Sequence, residues 1–150
     1  MKRKLLLGIL ALIILIQFMP KGLPTTSSIT TSDLLMNNTI PSNIESILTN
    51  SCYDCHSNNT AYPWYAQVSP VSFFVGAHVK DGREHLNFSE WEQLSKLDKA
   101  EALDDLMEEI EDKKMPVEAY LLLHADSKLS ASDRIELISW AEEFADSIFE

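Results

Sequence analysis

The sequence predicts an all-α protein, and three observations support this fold class. Apolar residues recur at helical spacing, most clearly at Leu103, Leu106, Met107 and Ile110. Residues that commonly start helices precede the apolar runs. No stretch shows the alternation of apolar and polar residues that is typical of a half-buried strand. With 150 residues, of which 45% are hydrophobic, the chain has the size of one small domain.

Each predicted helix has a recognisable start. Ser42, followed three residues later by Glu45, has the pattern of a capping box and predicts a helix that runs into Cys52–Cys55. Ser69-Pro70 predicts the start of a second helix over residues 71–86. The other starts are Ser89 with Glu92, Asp98 with Glu101, and Ser130 with Asp133. Residues 116–129 read as irregular structure.

Residues 1–20 read as an N-terminal leader. Lys2, Arg3 and Lys4 precede an apolar run over residues 5–19, which only Gln17 interrupts. Positive residues before an apolar run predict export of the chain that lies beyond the run. No A-x-A cleavage pattern comes after the run, so we expect an uncleaved signal-anchor, a transmembrane helix at the membrane. A cleaved signal peptide is the alternative, because the run is shorter than the ~20 residues that a spanning helix prefers.

The rest of the chain divides at residue 41. Residues 21–41 are rich in Thr, Ser, Asn and Pro, which predicts a polar linker between the membrane and the domain. Residues 42–150 hold the helical patterns and form the predicted domain.

The net charge of the chain limits the classes of partner that it can bind. Three of the 12 basic residues lie in the leader, which leaves nine against 23 acidic residues and a net charge of −14 from residue 21 onward. Such a body does not bind nucleic acid by neutralising phosphates. It suits a partner protein with a basic surface, although an acidic shell that only keeps the protein in solution is equally compatible.

The sequence Cys52-Tyr53-Asp54-Cys55-His56 contains both cysteines of the chain. C-x-x-C-H is the attachment signature of c-type haem. Two thiols on one helical turn can add to the two vinyl groups of one porphyrin, and the histidine that comes next becomes the proximal iron ligand. The motif therefore predicts one covalent haem c held by Cys52, Cys55 and His56.

Three other interpretations of the cysteine pair remain open. A thioredoxin-like redox centre needs a preceding strand, whereas residues 44–50 read as helix. A structural zinc site needs further ligands at suitable spacing, which the remaining histidines do not provide. A disulfide between Cys52 and Cys55 would close a very small loop.

Residues beyond the motif complete the predicted site. Tyr62 and Trp64 lie in an aromatic cluster that could wall the haem edge, although ordinary core packing explains them as well. Met115 directly precedes Pro116 after a predicted helix, and we expect its thioether to be the distal iron ligand. A gap-filling methionine is the alternative. Among the remaining histidines, His78 is the rival iron ligand in a bis-histidine arrangement. We expect His85 to be exposed, and His124 either to contact a haem propionate or to cap local carbonyls.

The pattern of a helix into C-x-x-C-H, a later Met-Pro and a closing helix with an aromatic residue resembles class I c-type cytochromes. More closely, the chain resembles the small bacterial haem-binding domain family with a C-x-x-C-H motif. The matching stretches are 52–58, 62–65, 79–91, Met115-Pro116, Leu123-His124, 128–130 and Trp140-Ala141. The resemblance implies haem c, an exported location and a cytochrome c-like fold. Relatives often read Met-Pro-Pro where this chain has Val117 after Pro116.

These observations predict an electron carrier rather than an enzyme. We expect an exported monohaem c-type cytochrome, on the periplasmic side of a bacterial inner membrane, that passes single electrons to redox partner proteins by outer-sphere transfer. The alternative is a haem-based sensor or peroxide-handling enzyme, which requires an open sixth coordination position.

Overall fold

The computed structural model describes residues 2–150, so Met1 of the leader lies outside the described residues. As predicted, the described chain is all-α. The α-helices of residues 2–150 are α1 (Lys2–Ile16), α2 (Leu34–Asn37), α3 (Ser42–Ser51), α4 (Tyr53–His56), α5 (Val71–His85), α6 (Lys96–Glu111), α7 (Glu118–Leu121) and α8 (Ala131–Ser147). Three short 3₁₀ helices lie between them, at Trp64–Gln67, Phe88–Gln93 and Ala125–Ser127.

The hydrophobic core forms where α3, α6 and α8 pack together with the Phe88–Gln93 turn. Phe144 stacks on Trp91 with a centroid distance of 5.8 Å, and on Trp140 at 5.3 Å. The residues of this cluster with less than 3% of their surface exposed are Leu34, Ile44, Leu48, Phe88, Trp91, Leu103, Ile110, Leu137 and Ala141. Apolar area removed from water at this core is the main driving force for folding.

Two of the predicted helix starts are confirmed. Helix α5 begins at Val71, directly after Ser69-Pro70. Helix α8 begins after a capping box in which Ser130 Oγ accepts a hydrogen bond from the Asp133 amide at 3.1 Å and Asp133 accepts one from the Ser130 amide at 2.7 Å.

Three other predicted starts are wrong in detail. The cap of α6 is Ser95 with Asp98 rather than Asp98 with Glu101, because Ser95 Oγ accepts the Asp98 amide. Ser42 lies inside α3, and Pro41 at its N-cap makes no side-chain hydrogen bond. The predicted helix at Ser89 is the Phe88–Gln93 turn of 3₁₀ helix, capped by Asn87, whose side chain accepts the Ser89 amide.

The segment that the sequence predicts as a polar linker packs against the domain. Asp33 and Leu34 are fully buried. The Asp33 carboxylate accepts hydrogen bonds from Tyr53 Oη at 2.8 Å and from Ser89 Oγ at 3.1 Å. Residues 21–41 are therefore not a free tether, because a buried carboxylate with these partners fixes α2 on the core.

The leader forms α1, whose side chains are exposed from Lys2 to Leu15. Among residues 2–150, no helix is both long enough and apolar enough to cross a membrane. The predicted transmembrane helix is thus not found, since 15 residues rise only about 22 Å, against a hydrocarbon core of about 30 Å.

Candidate cofactor site

The cysteine motif is a single tight turn after α3. The carbonyl of Cys52 accepts the amide of Cys55 at 3.1 Å and the amide of His56 at 2.9 Å. Cys52 itself interrupts the helix, with φ −124° and ψ −41°, and α4 begins at the next residue. This turn brings the two thiols and the imidazole of the motif onto one short segment, as the sequence predicts.

The His56 ring is oriented by the end of α5. Its Nδ1 lies 3.0 Å from the backbone carbonyl oxygen of Leu86. A carbonyl can only accept, so Nδ1 carries the proton and Nε2 keeps its lone pair for a ligand. Burial lowers the pKa of His56, which favours the neutral imidazole that metals bind. Histidine ligands commonly have an orienting hydrogen bond of this kind.

A cavity of about 500 Å³ opens beside His56. Cys52 and His56 line one part of it, and Met115 with Pro116 lines another. The apolar part of the lining is Leu86, Phe88, Ala102, Leu106 and Ile110, and the charged or titratable part is Asp81, His85, Asp105, Glu108 and Glu109. The structure therefore brings the predicted proximal and distal ligands into one apolar cavity with an acidic rim.

Met115 is held in place by α8. Arg134 Nη1 donates to the carbonyl of Met115 at 3.2 Å and to that of Ile110 at 2.9 Å, which ties the loop to the end of α6. Lys113, with φ +59°, ends the helix in the left-handed region. The Met115 side chain is half-buried.

Cys55 lies apart from the larger cavity. Its side chain packs against Gly82 of α5, where a Cβ atom would lie 3.2 Å from Cys55 Cβ. Cys55 and Tyr62 line a second cavity of about 170 Å³, together with residues from α5 and from the chain around α7. Both cysteines are free thiols, and burial raises the pKa of Cys52 to about 12 and that of Cys55 to about 11.

The other predicted site residues are dispersed. Trp64 is 80% exposed and lines neither cavity, so its role as a wall of the haem pocket stays a prediction. His78 and His124 line the smaller cavity, whereas His85 lies at the rim of the larger one. His124 Nδ1 is 3.1 Å from the Tyr120 carbonyl.

Sequence reasoning missed the role of Asp54, which lies between the two thiols. Its carboxylate accepts the Ala61 amide at 3.1 Å and the Tyr120 hydroxyl at 2.9 Å. Tyr120 in turn stacks on His124 at a centroid distance of 4.0 Å. Asp54 therefore joins the motif to α7, a contact across 66 residues that no local pattern indicates.

Arg83 of α5 is a second residue that sequence reasoning missed. Its guanidinium donates to the Ser57 carbonyl at 2.8 Å, to the Thr25 carbonyl at 2.9 Å and to Thr60 Oγ1 at 2.9 Å. The loop after the motif is thereby fixed to α5 and to the N-terminal segment. A single arginine in a charged helix end gives no sequence signal for this.

Among residues 2–150, no three His, Cys, Asp or Glu side chains are grouped as a cluster that could hold a metal ion. Iron held by a porphyrin does not need such a cluster, because the protein supplies only the axial ligands. An oriented imidazole, a thioether and the Cys52 thiol line one cavity and fit that arrangement, whereas the Cys55 thiol is on the same turn but lines the smaller cavity.

Comparison with known proteins agrees with this site. A family model described as a haem-binding domain matches residues 11–143. No curated protein and no solved structure matches the chain. The family match covers the motif, both cavities and most of α8. The chain therefore belongs to the haem-binding domain family.

Proposed function

We propose that this haem-binding domain carries one covalent haem c and transfers single electrons between partner proteins. The observation that supports it best is the larger cavity, where His56, with Nε2 left unprotonated, shares the walls with Met115 and Cys52. Cys52 and Cys55 would form the thioether bonds, His56 would bind the iron, and Met115 would be its distal ligand. When bound, the haem supplies a one-electron couple.

The residues of the chain set the conditions for that couple. The carbonyl of Leu86 holds the His56 ring in one orientation and one tautomer. A methionine opposite a histidine raises the potential of a haem relative to two histidines. The apolar lining of Leu86, Phe88, Leu106 and Ile110 limits the access of water. Together these features favour electron transfer over bonding of a substrate, so we propose a carrier rather than an enzyme.

The acidic rim indicates which kind of redox partner the domain would bind. Asp81, Asp105, Glu108 and Glu109 surround the larger cavity in a chain whose net charge is −11. Such a rim attracts a basic protein surface and repels an acidic one. We propose redox partners with basic docking surfaces that meet the domain transiently at this rim.

We also propose that the protein acts on the periplasmic side of a bacterial inner membrane. The support is the order of the leader, in which Lys2, Arg3 and Lys4 precede an apolar segment. The apolar helix α1, with its side chains exposed, would associate with the membrane. A cytochrome c-like arrangement of the domain is part of the same proposal.

The decisive experiment is intact-mass measurement of the protein isolated from a host that attaches haem c. We expect one added haem mass in the wild type and none in the Cys52→Ser/Cys55→Ser variant. Reduced-minus-oxidised spectra should show the sharp bands of a thioether-linked haem.

Two outcomes would contradict the proposal in different ways. A colourless protein with free or mutually bonded thiols would exclude covalent haem. A coloured protein whose reduced form binds carbon monoxide readily at neutral pH would favour a sensor or peroxide-handling enzyme instead.

A further inference from the structure

Specific contacts hold the chain just after the C-terminal end of α1 against the domain. Gln17 pairs with the backbone of Ser69: the Ser69 amide donates to Gln17 Oε1 at 3.0 Å, and Gln17 Nε2 donates to the Ser69 carbonyl at 2.8 Å. Lys21 Nζ donates to Ser69 Oγ at 3.1 Å. A Cβ atom on Gly76 of α5 would collide with the Gly22 carbonyl, so the chain passes directly over the helix there. These contacts of Gln17, Lys21 and Gly22, which we name the clamp, therefore hold the end of α1 in a fixed position on the domain.

Exposed apolar side chains lie close to these contacts along the chain, and two of them, Val71 and Phe74, also line the smaller cavity. Trp64, Val68, Val71 and Phe74, which we name the apolar patch, are between 40% and 80% exposed. Val68 precedes the clamped Ser69, Val71 begins α5, and Trp64 belongs to the 3₁₀ turn packed on that helix. Apolar side chains gathered in this way commonly mark an interaction surface.

The chain carries no Asp, Glu, Lys or Arg from residue 61 to residue 79, although such residues make up 23% of the whole sequence. Charge returns in the second half of α5 with Lys80 and Asp81, close to the cofactor cavity. Residues 61–79 thus add no charge to the surface next to the end of α1, where Lys21 is the charged side chain, while the rim of the larger cavity is acidic.

The character of α1 identifies what covers the patch. From Leu5 to Ile16 the helix is apolar on every side, and its side chains lie exposed up to Leu15. A helix that docks in a protein groove needs only one apolar stripe, whereas a helix that is apolar all round belongs in lipid or in a large core. The exposed side chain of Trp64, in the turn packed on α5, suits the level of lipid headgroups.

We infer that the apolar patch rests on the lipid bilayer that takes up α1, so that the domain sits on the membrane in one fixed orientation. The inference rests on the proposed membrane location. Because Gln17 is fixed to Ser69, lipid that surrounds the end of α1 also reaches Val68 and Val71. Val71 and Asp81 are ten residues apart in α5, so the cofactor cavity lies about 15 Å along that helix from the patch.

The test uses the full-length protein in vesicles of phosphatidylethanolamine and phosphatidylglycerol. A benzophenone amino acid replaces Phe74 in one variant and Ile135 of α8 in the control, since both side chains are more than 60% exposed. After irradiation, mass spectrometry of the tryptic peptides identifies what each position has reached. We expect a lipid adduct at position 74 and none at position 135.

A second variant tests the clamp. Gln17→Ala/Lys21→Ala removes both side chains that bond to Ser69 but leaves the apolar helix unchanged. We expect this variant to stay with the vesicles and to lose the lipid adduct at position 74. A circular dichroism spectrum equal to that of the wild type shows that the domain remains folded.

Several outcomes would overturn the inference. Equal lipid adducts at positions 74 and 135 would show no preferred orientation. No lipid adduct at 74, or an adduct to a second copy or to another protein, would mean that the patch is not a lipid contact. The haem mass of the same samples reports on the proposed cofactor separately, so either idea can fail while the other stands.

Discussion

The orientation of His56 depends on one backbone carbonyl, that of Leu86, 30 residues away in sequence. Because this bond occupies Nδ1, Nε2 is the ring nitrogen that is left free to bind a metal. Met115 lines the same cavity from a loop that Arg134 fixes through two carbonyls. The two proposed axial ligands are thus held by different parts of the chain and can be tested separately.

The first prediction concerns the distal ligand. Met115→Ala removes the thioether from the cavity, so the absorption and magnetic circular dichroism features of a methionine–iron bond should disappear. The reduction potential should fall, because axial ligands set haem potentials over a range of about 0.8 V. Met107→Ala is the matched control, since Met107 packs on the core and lines neither cavity. Unchanged axial coordination in Met115→Ala would rule out this ligand.

The second prediction concerns the free thiols of protein made without haem attachment. Burial raises the pKa of Cys52 to about 12 and of Cys55 to about 11. Thiolate is the reactive form, so alkylation at pH 8 should be on the order of 10²-fold slower in the folded protein than in urea. Mass spectrometry of timed samples measures this. Equal rates in both conditions would contradict the burial of the thiols.

The same pKa values determine how stability depends on pH. The unfolded chain loses its thiol protons near pH ~8.5, well before the folded protein does. The free energy of unfolding of the haem-free protein should therefore be unaffected by the thiols below about pH 8 and should fall as the pH rises from about 8.5 toward about 11. Unfolding of the Cys52→Ser/Cys55→Ser variant, which lacks both groups, is the control.

At the scale of elements, α5 organises the site through close contact. Gly76 admits the backbone at Gly22, and Gly82 admits the motif turn at Cys55. Leu86, at its C-terminal end, orients His56. One helix thereby contacts the leader, the second cysteine and His56.

The third prediction concerns Gly82→Ala. The added Cβ would lie 3.0 Å from the carbonyl oxygen of Cys55 and 3.2 Å from its Cβ, so α5 must move away from the motif. We expect a loss of about 1–3 kcal/mol in the free energy of unfolding, measured by urea denaturation. Gly8→Ala adds the same methyl group where no atom lies within 4 Å and should have little effect. Equal stability of the two variants would show that the contact at Gly82 relaxes freely.

Across the whole molecule, the sequence predicts those features that depend on contacts between residues close together in the chain. The capping box at Ser130 and the start at Pro70 are confirmed because each depends on residues a few positions apart. The packing of residues 21–41 could not be predicted in this way. Asp33 is buried by Tyr53 and Ser89, which lie 20 and 56 residues away, while its neighbours have the composition of a linker.

In the candidate site, too, some features follow from local sequence and others depend on tertiary contacts. The spacing of Cys52, Cys55 and His56 indicates the chemistry, and the family match supports haem. The positions of the side chains depend on tertiary contacts: Cys55 faces Gly82, Trp64 points to solvent, and Asp54 binds Tyr120. The motif predicts which side chains would bond to haem. Long-range packing determines which cavity each of these side chains faces.

The acidic rim differs from the net charge of the molecule in a way that can be measured. A local rim accelerates encounter at one place, whereas net charge acts on approach from every direction. Asp105 and Glu108 line the cavity from α6 and are exposed, and Glu142 and Glu143 are exposed on α8. Replacing either pair by lysine changes the net charge equally.

The fourth prediction compares these two pairs of acidic residues. In the haem-loaded protein, Asp105→Lys/Glu108→Lys should slow electron transfer to a cationic cobalt complex by about tenfold at low salt. Glu142→Lys/Glu143→Lys should have a much smaller effect. The difference should shrink as added salt shortens the screening length to about 8 Å at roughly 0.15 M. Stopped-flow absorbance measures the rates. Equal slowing by both pairs would mean that net charge, rather than the rim, governs encounter, and that partners need not approach at the cavity.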